Sequence, residues 1–146
     1  MTLQQTVRFW TYLLERAELK KKAFISTPSG SPYKDEMRTE AETYEWLAKT
    51  FVSNFEHSIA SAKDFSHGLT AEQAAGFLDY LSEKIVELKA AQEKTESNKQ
   101  KALAGLQEME YFRVRGIYKE MVNLEDRQIM AFESARKTFI SIHQEG

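Results

Sequence analysis

Residues 92–101 read QEKTESNKQK, and this polar stretch decides the fold because it either turns the chain around or continues a long helix. It lies between AGFLDYLSEKIVELKAA and ALAGLQEMEYFRVRGIY, two segments with the apolar spacing of helices. It contains no Gly, Pro or Asp, the residues that turns usually recruit. Ser97 and Gln100 have the spacing of a capping box, which would start a new helix after a turn at 94–98.

The spacing on both sides of this stretch favours a continuous helix. Steps of three and four residues run without a break through the following positions: Ala74, Leu78, Leu81, Ile85, Leu88, Gln92, Thr95, Lys99, Ala102, Leu106 and Met109. A helix that follows a loop need not resume the register of the helix before it. Beyond Met109 the register shifts, and Gly105 and Gly116 are the positions where a bend costs least.

The composition indicates one all-α domain. The chain has 146 residues, 42% of them hydrophobic, and lacks runs of β-branched residues that alternate with polar ones. We expect helices over 3–25, 32–66 and 70–143, the second starting at Ser31-Pro32 and the third at a Thr70/Gln73 capping box. These predict an elongated antiparallel helical bundle or coiled coil with one very long C-terminal helix. A turn at 94–98 would give a compact four-helix bundle instead.

The predicted length of the third helix indicates self-association. A helix over 70–143 would be about 110 Å long at a rise of 1.5 Å per residue. The first two helices could cover only part of its apolar stripe, so we expect a homo-oligomer, a dimer, or a helical protein partner. The candidate self-association residues are Leu81, Ile85, Leu88, Leu106 and Met109.

The charge balance argues against nucleic acid as a partner. The chain carries 20 Lys and Arg against 22 Asp and Glu, so no global basic field exists. Local basic clusters are candidate contacts with an anionic surface: Lys20, Lys21, Lys22, Arg113, Arg115 and Lys119. The first three also suit the last turn of a helix, where cations complement the dipole. Arg113 and Arg115 point away from each other on a helix, which splits the second cluster.

The sequence predicts a protein without enzymatic activity or a cofactor. It contains no cysteine, no Gly-rich phosphate loop and no nucleophile elbow. Asp64 and His67 have a spacing that suits two metal ligands, but the repeated Glu-x-x-His of di-iron bundles is missing. Without an apolar run of about 20 residues or a leader pattern, we expect a soluble cytoplasmic protein.

Residues from about 58 to 139 resemble the BAR domain of sorting nexins. The similar segments are SIASAKDFSHGLT, LDYLSEKIVELKAAQEK, VRGIYKEM and LEDRQIMAFESARKTF. The resemblance implies a curved antiparallel dimer that binds acidic membranes through basic residues on one face, and therefore a peripheral membrane location. It implies no catalytic residues. We expect a helical scaffold that dimerises, BAR-like and membrane-associated, and the alternative is a helical adaptor or chaperone that binds a partner protein.

Overall fold

Residues 1–145 are described by a computed structural model, in which the first helix, α1, spans Leu3–Ser26. It begins at a capping box in which the Thr2 hydroxyl accepts from the Gln5 backbone N–H at 3.1 Å and the Gln5 side chain accepts from the Thr2 N–H. The second helix, α2, spans Pro32–Val52 and has Ser31 as its N-cap, as predicted. The Pro and Gly residues between them separate the two helices at the expected place.

The prediction that α2 continues to residue 66 is wrong, because the helix ends at Val52. The side chains of Ser53 and Asn54 donate to the carbonyls of Thr50 and Phe51 and so satisfy the backbone groups at the helix end. Residues 53–70 are irregular apart from one 3₁₀ turn over Ala62–Asp64.

Within this irregular segment, Phe55 and Phe65 are both buried, and their ring centroids lie 5.1 Å apart. The helical spacing of these apolar residues therefore reports burial in the core and not the backbone conformation.

The third helix, α3, spans Ala71–Leu103 and runs straight through residues 92–101. It starts at the predicted capping box, in which the Thr70 hydroxyl accepts from the Gln73 N–H at 3.1 Å. No turn occurs at 94–98. Side chains of the polar stretch that face the next helix form hydrogen bonds with it. The Thr95 hydroxyl donates to the Glu125 carboxylate at 2.9 Å, and the Gln92 amide donates to the Asp126 carboxylate.

The single helix predicted over 70–143 is wrong, because the chain reverses just after the polar stretch. The fourth helix, α4, spans Glu108–Gln144 and is joined to α3 by the residues 104–107. Gly105 has a φ of +77°, a backbone conformation in which a side chain would be strained. Glu108 and Glu110 in the first turn of α4 suit the positive end of its dipole.

The all-α prediction is confirmed, and four helices form two hairpins, α1 with α2 and α3 with α4. The helices α3 and α4 are antiparallel, since Lys89 pairs with Glu133 at 3.4 Å and Thr95 meets Glu125. α4 packs on all three other helices. The core lies where all four helices meet and contains a cluster of aromatic rings: Phe9, Phe51, Phe77 and Phe139.

We name two regions by their place in this fold. The body comprises α1, α2, residues 53–81 and the second half of α4 from Arg127 onward. The hairpin end comprises residues 94–120, where α3 and α4 pack mainly on each other. The connection between α1 and α2 meets α4 near Glu120, Asn123 and Leu124, which line a cavity of about 290 Å³ together with Gly30 and Glu36.

Candidate self-association site at the end of the helical hairpin

The structure separates the five residues predicted for self-association. Leu81 is fully buried in the core of its own chain, so its assignment to an intermolecular contact is wrong. Ile85 and Leu88 are half-buried and pack against the same core. Leu106 and Met109 are exposed, and Met109 has 88% of its surface open to solvent.

Five large apolar side chains are exposed at or beside the hairpin end, and we call this set the hairpin-end patch: Leu106, Met109, Phe112, Ile117 and Met121. Phe112 has an exposure of 57%. The patch exists because α4 directs a different face toward α3, the one that carries Tyr111, Val114 and Tyr118. Around α4, Phe112 lies on one flank, Met109 faces outward, and Ile117 and Met121 lie on the other flank, so the set borders both sides of the hairpin.

The packing beneath the hairpin-end patch is thin. Between Leu81 and Ile129, Leu103 is the one buried side chain, and it is still 9% exposed. Two helices alone bury one stripe on each, so α3 and α4 leave their remaining apolar side chains in solvent. The hairpin end therefore has surface available for another molecule without loss of its own core.

The predicted basic cluster on α1 does not act as one surface. The Lys20 ammonium lies 3.1 Å from a carboxylate oxygen of Glu40, and its side chain is largely buried, so its assignment to an anionic surface is wrong. Lys21 and Lys22 are exposed. They lie on α1, in the body.

The second basic cluster divides between two flanks of α4. Arg113 donates to the Glu110 carboxylate at 2.8 Å, and this hydrogen bond raises the pKa of the guanidinium. Arg115 and Lys119 are exposed, and within residues 1–145 neither forms an ion pair. Their charges are available to a partner, whereas the charge of Arg113 is already compensated.

A buried ionic cluster joins α2 to α4 and was not predicted. Arg127 donates to Glu36 at 2.9 Å and to Glu40 at 2.7 Å, and Lys20 completes the cluster from α1. Burial lowers the pKa of Arg127, but the hydrogen bonds to Glu36 and Glu40 outweigh that effect and raise it. The sequence signal was the position of Glu40 on the apolar stripe of α2, four residues before Tyr44.

The cluster holds α4 to α2 near the place where α4 leaves the body. Glu40 is only 3% exposed, so its charge depends on the two cations beside it. The contact between α2 and α4 at Arg127 lies seven residues from the contact of α4 with the α1–α2 connection near Glu120. The two contacts together orient the hairpin end relative to the body.

Asp64 and His67, the pair with metal-ligand spacing, have other partners. The Asp64 carboxylate accepts from the backbone N–H groups of Ala60 at 2.7 Å and Ser61 at 2.9 Å, which lowers its pKa. A ring nitrogen of His67 lies 3.0 Å from the carbonyl oxygen of Gly68. In the part of the chain that the structure describes, no group of three or more His, Asp or Glu is arranged to hold a metal ion.

Comparisons of the chain with protein-family models, with curated proteins and with solved structures find no match. The resemblance to sorting-nexin BAR domains stays a prediction. Among the helices of residues 1–145, none combines the length and the apolar character needed to cross a membrane.

Proposed function

We propose that this protein is a non-enzymatic helical scaffold that self-associates through the hairpin-end patch. The observation that carries the proposal is the exposure of Met109 and Phe112 in the region where α3 and α4 pack mainly on each other. Burial of apolar surface is the main favourable term in most protein association. The body also exposes large apolar side chains, such as Ile25 and Tyr33, but it has a core in which all four helices meet, whereas the hairpin end has only two helices to bury its apolar residues.

The test is sedimentation velocity on the purified chain across a range of concentrations. We expect the wild-type protein to dimerise and a Met109→Gln/Phe112→Gln variant to dissociate at least about tenfold more readily, a loss of about 1.4 kcal/mol. Gln keeps a good helix propensity and adds no charge. A wild-type chain that stays monomeric at every concentration would overturn the proposal.

The matched control is a Leu19→Gln/Val86→Gln variant. These two side chains are also exposed, at 53% and 68%, but lie on α1 and on the first half of α3. We expect this variant to dimerise like the wild type. Equal weakening by both double variants would mean that the contact is not specific to the hairpin end, and it would also contradict the proposal.

Association with an anionic membrane surface, which the BAR resemblance implies, has a separate source of support. Residues 94–120 contain six Lys or Arg and four Glu, whereas the whole chain has a formal charge of −2. Binding to vesicles that rises with anionic lipid and falls with salt would favour this role. Indifference to lipid together with one-to-one binding of a different protein would favour the adaptor role.

A further inference from the structure

One face of α4 carries four exposed residues at helical spacing, and we call it the charged stripe: Glu108, Phe112, Arg115 and Lys119. Their separations of four, three and four residues place them in a row along the helix. Glu108, like Arg115 and Lys119, forms no ion pair within residues 1–145. The stripe thus has an acidic start, an aromatic ring, and a basic end, all open to solvent.

Because of the order of these groups, the charged stripes of two copies are complementary when the helices are antiparallel and not when they are parallel. If two copies lie antiparallel about the midpoint of the stripe, Glu108 faces Lys119 of the second copy and Phe112 faces Arg115. The first contact joins opposite charges, and the second places a guanidinium near a ring face. A parallel arrangement would place Glu108 against Glu108 and Lys119 against Lys119, which is repulsive at both ends.

Gly116, beside the charged stripe, is consistent with a close helix contact on this side of α4. It is exposed in the interior of α4, and a Cβ built at this position would meet nothing within 4 Å. The chain's own packing therefore gives no reason for a glycine here, although Gly costs helix stability relative to Ala. Without a side chain, the helix backbone can be approached closely, and Met109 of a second copy in the antiparallel arrangement lies within about one turn of it.

We propose that two copies of this chain pair antiparallel along the charged stripe, related by a two-fold axis near residues 113 and 114. The inference rests on the proposed function and narrows it, because this pairing uses Phe112 and Met109 of the hairpin-end patch and leaves Ile117 and Met121 on the opposite side of α4. A two-fold arrangement uses the same surface on both copies and closes at a dimer, so every contact occurs twice.

Cysteine cross-linking tests the direction of pairing, since the natural chain has no cysteine. We expect Glu108→Cys and Lys119→Cys chains to form a disulfide when mixed and neither to do so alone. In the antiparallel pair the same residue of the two copies is about 16 Å apart along the helices, whereas a disulfide needs Cα atoms within about 7 Å. Cross-linking of either variant with itself, or none in the mixture, would overturn the inference.

Charge reversal gives a second measurement that does not depend on oxidation. We expect Glu108→Lys and Lys119→Glu each to raise the dimer dissociation constant about tenfold, because each change turns two attractions into repulsions. The double variant should return to within about twofold of the wild type. Asp79→Lys, an exposed change on α3, is the control and should have no effect.

The outcomes separate the two proposals. A wild-type chain that dimerises but shows no rescue in the double variant would contradict the antiparallel pairing and leave the scaffold function in place. A wild-type chain that does not dimerise would contradict both. Circular dichroism on each variant checks that α4 remains folded, since Glu108 lies in its first turn.

Discussion

The body and the hairpin end are built from the same kinds of residues but bury them to very different extents. In the body, Phe9 packs against the rings of Phe51 and Phe139 at 5.1 Å and of Phe77 at 5.8 Å, and it has no exposed surface. At the hairpin end, Phe112 meets one ring, that of its chain neighbour Tyr111. The difference shows that the number of helices that meet decides burial, because two helices can cover only one face of each other.

The largest expected effect comes from a phenylalanine in the body. Phe9→Ala should lower the free energy of unfolding by about 4 kcal/mol, because it removes a ring from the centre of the core and leaves a cavity. Chemical denaturation followed by circular dichroism measures this change. Phe112→Ala at the hairpin end is the matched substitution, and it should change the stability of the monomer by less than about 0.5 kcal/mol. Equal losses for the two variants would contradict the contrast between the regions.

The next effect tests the border between the regions. Arg127→Ala should cost about 3 kcal/mol, because it leaves the buried carboxylates of Glu36 and Glu40 with only Lys20 as a cation. The exposed Arg115→Ala substitution in the same helix is the control and should leave the unfolding midpoint in denaturant almost unchanged. A neutral result for Arg127→Ala would mean that the ionic cluster does not hold α4 to α2.

The smallest effect distinguishes two glycines within the hairpin end. Gly105→Ala should destabilise by about 1 kcal/mol, because the φ of +77° strains a residue with a side chain. Gly116→Ala should stabilise the monomer by about 0.5–1 kcal/mol, because Ala is the better helix former and the added Cβ has open space. Thermal unfolding of the protein at low concentration measures both. A lower stability of Gly105→Ala and a higher stability of Gly116→Ala would agree with a turn at residue 105 and an exposed helix at residue 116. A lower stability of Gly116→Ala would contradict an exposed helix at that position.

The sequence predicted the starts of helices better than their ends. Ser31 before Pro32 and the Thr70/Gln73 capping box are local hydrogen-bonding patterns, and the structure has helix starts at both places. The end of α2 was missed because Phe55 and Phe65 keep the apolar spacing of a helix after the backbone has left it. The spacing of apolar residues in the sequence indicates which side chains reach the core. An irregular segment can place its apolar side chains in the core at the same spacing as a helix.

The reversal at Gly105 was missed for a related reason. The stripe of α3 continues in sequence through Leu106 and Met109, although these residues lie beyond the end of the helix and are exposed. Gly105 was predicted as a position where a bend costs least, but the apolar register contains no information about chain direction, so it could not show that the chain reverses there. Likewise, Leu81 could not be assigned to the chain's own core until α4 was known to fold back over α3.

The length of α4 beyond the body gives a small tilt of the hairpin a large effect at its end. The α1–α2 connection meets α4 near Glu120, and Glu108 lies about 18 Å farther along the helix. A change in tilt of about 10° there would move the start of α4 by about 3 Å, which is twice the rise per residue of a helix. Small changes in the contacts between Glu120 and the α1–α2 connection would therefore shift the surface that the hairpin end presents.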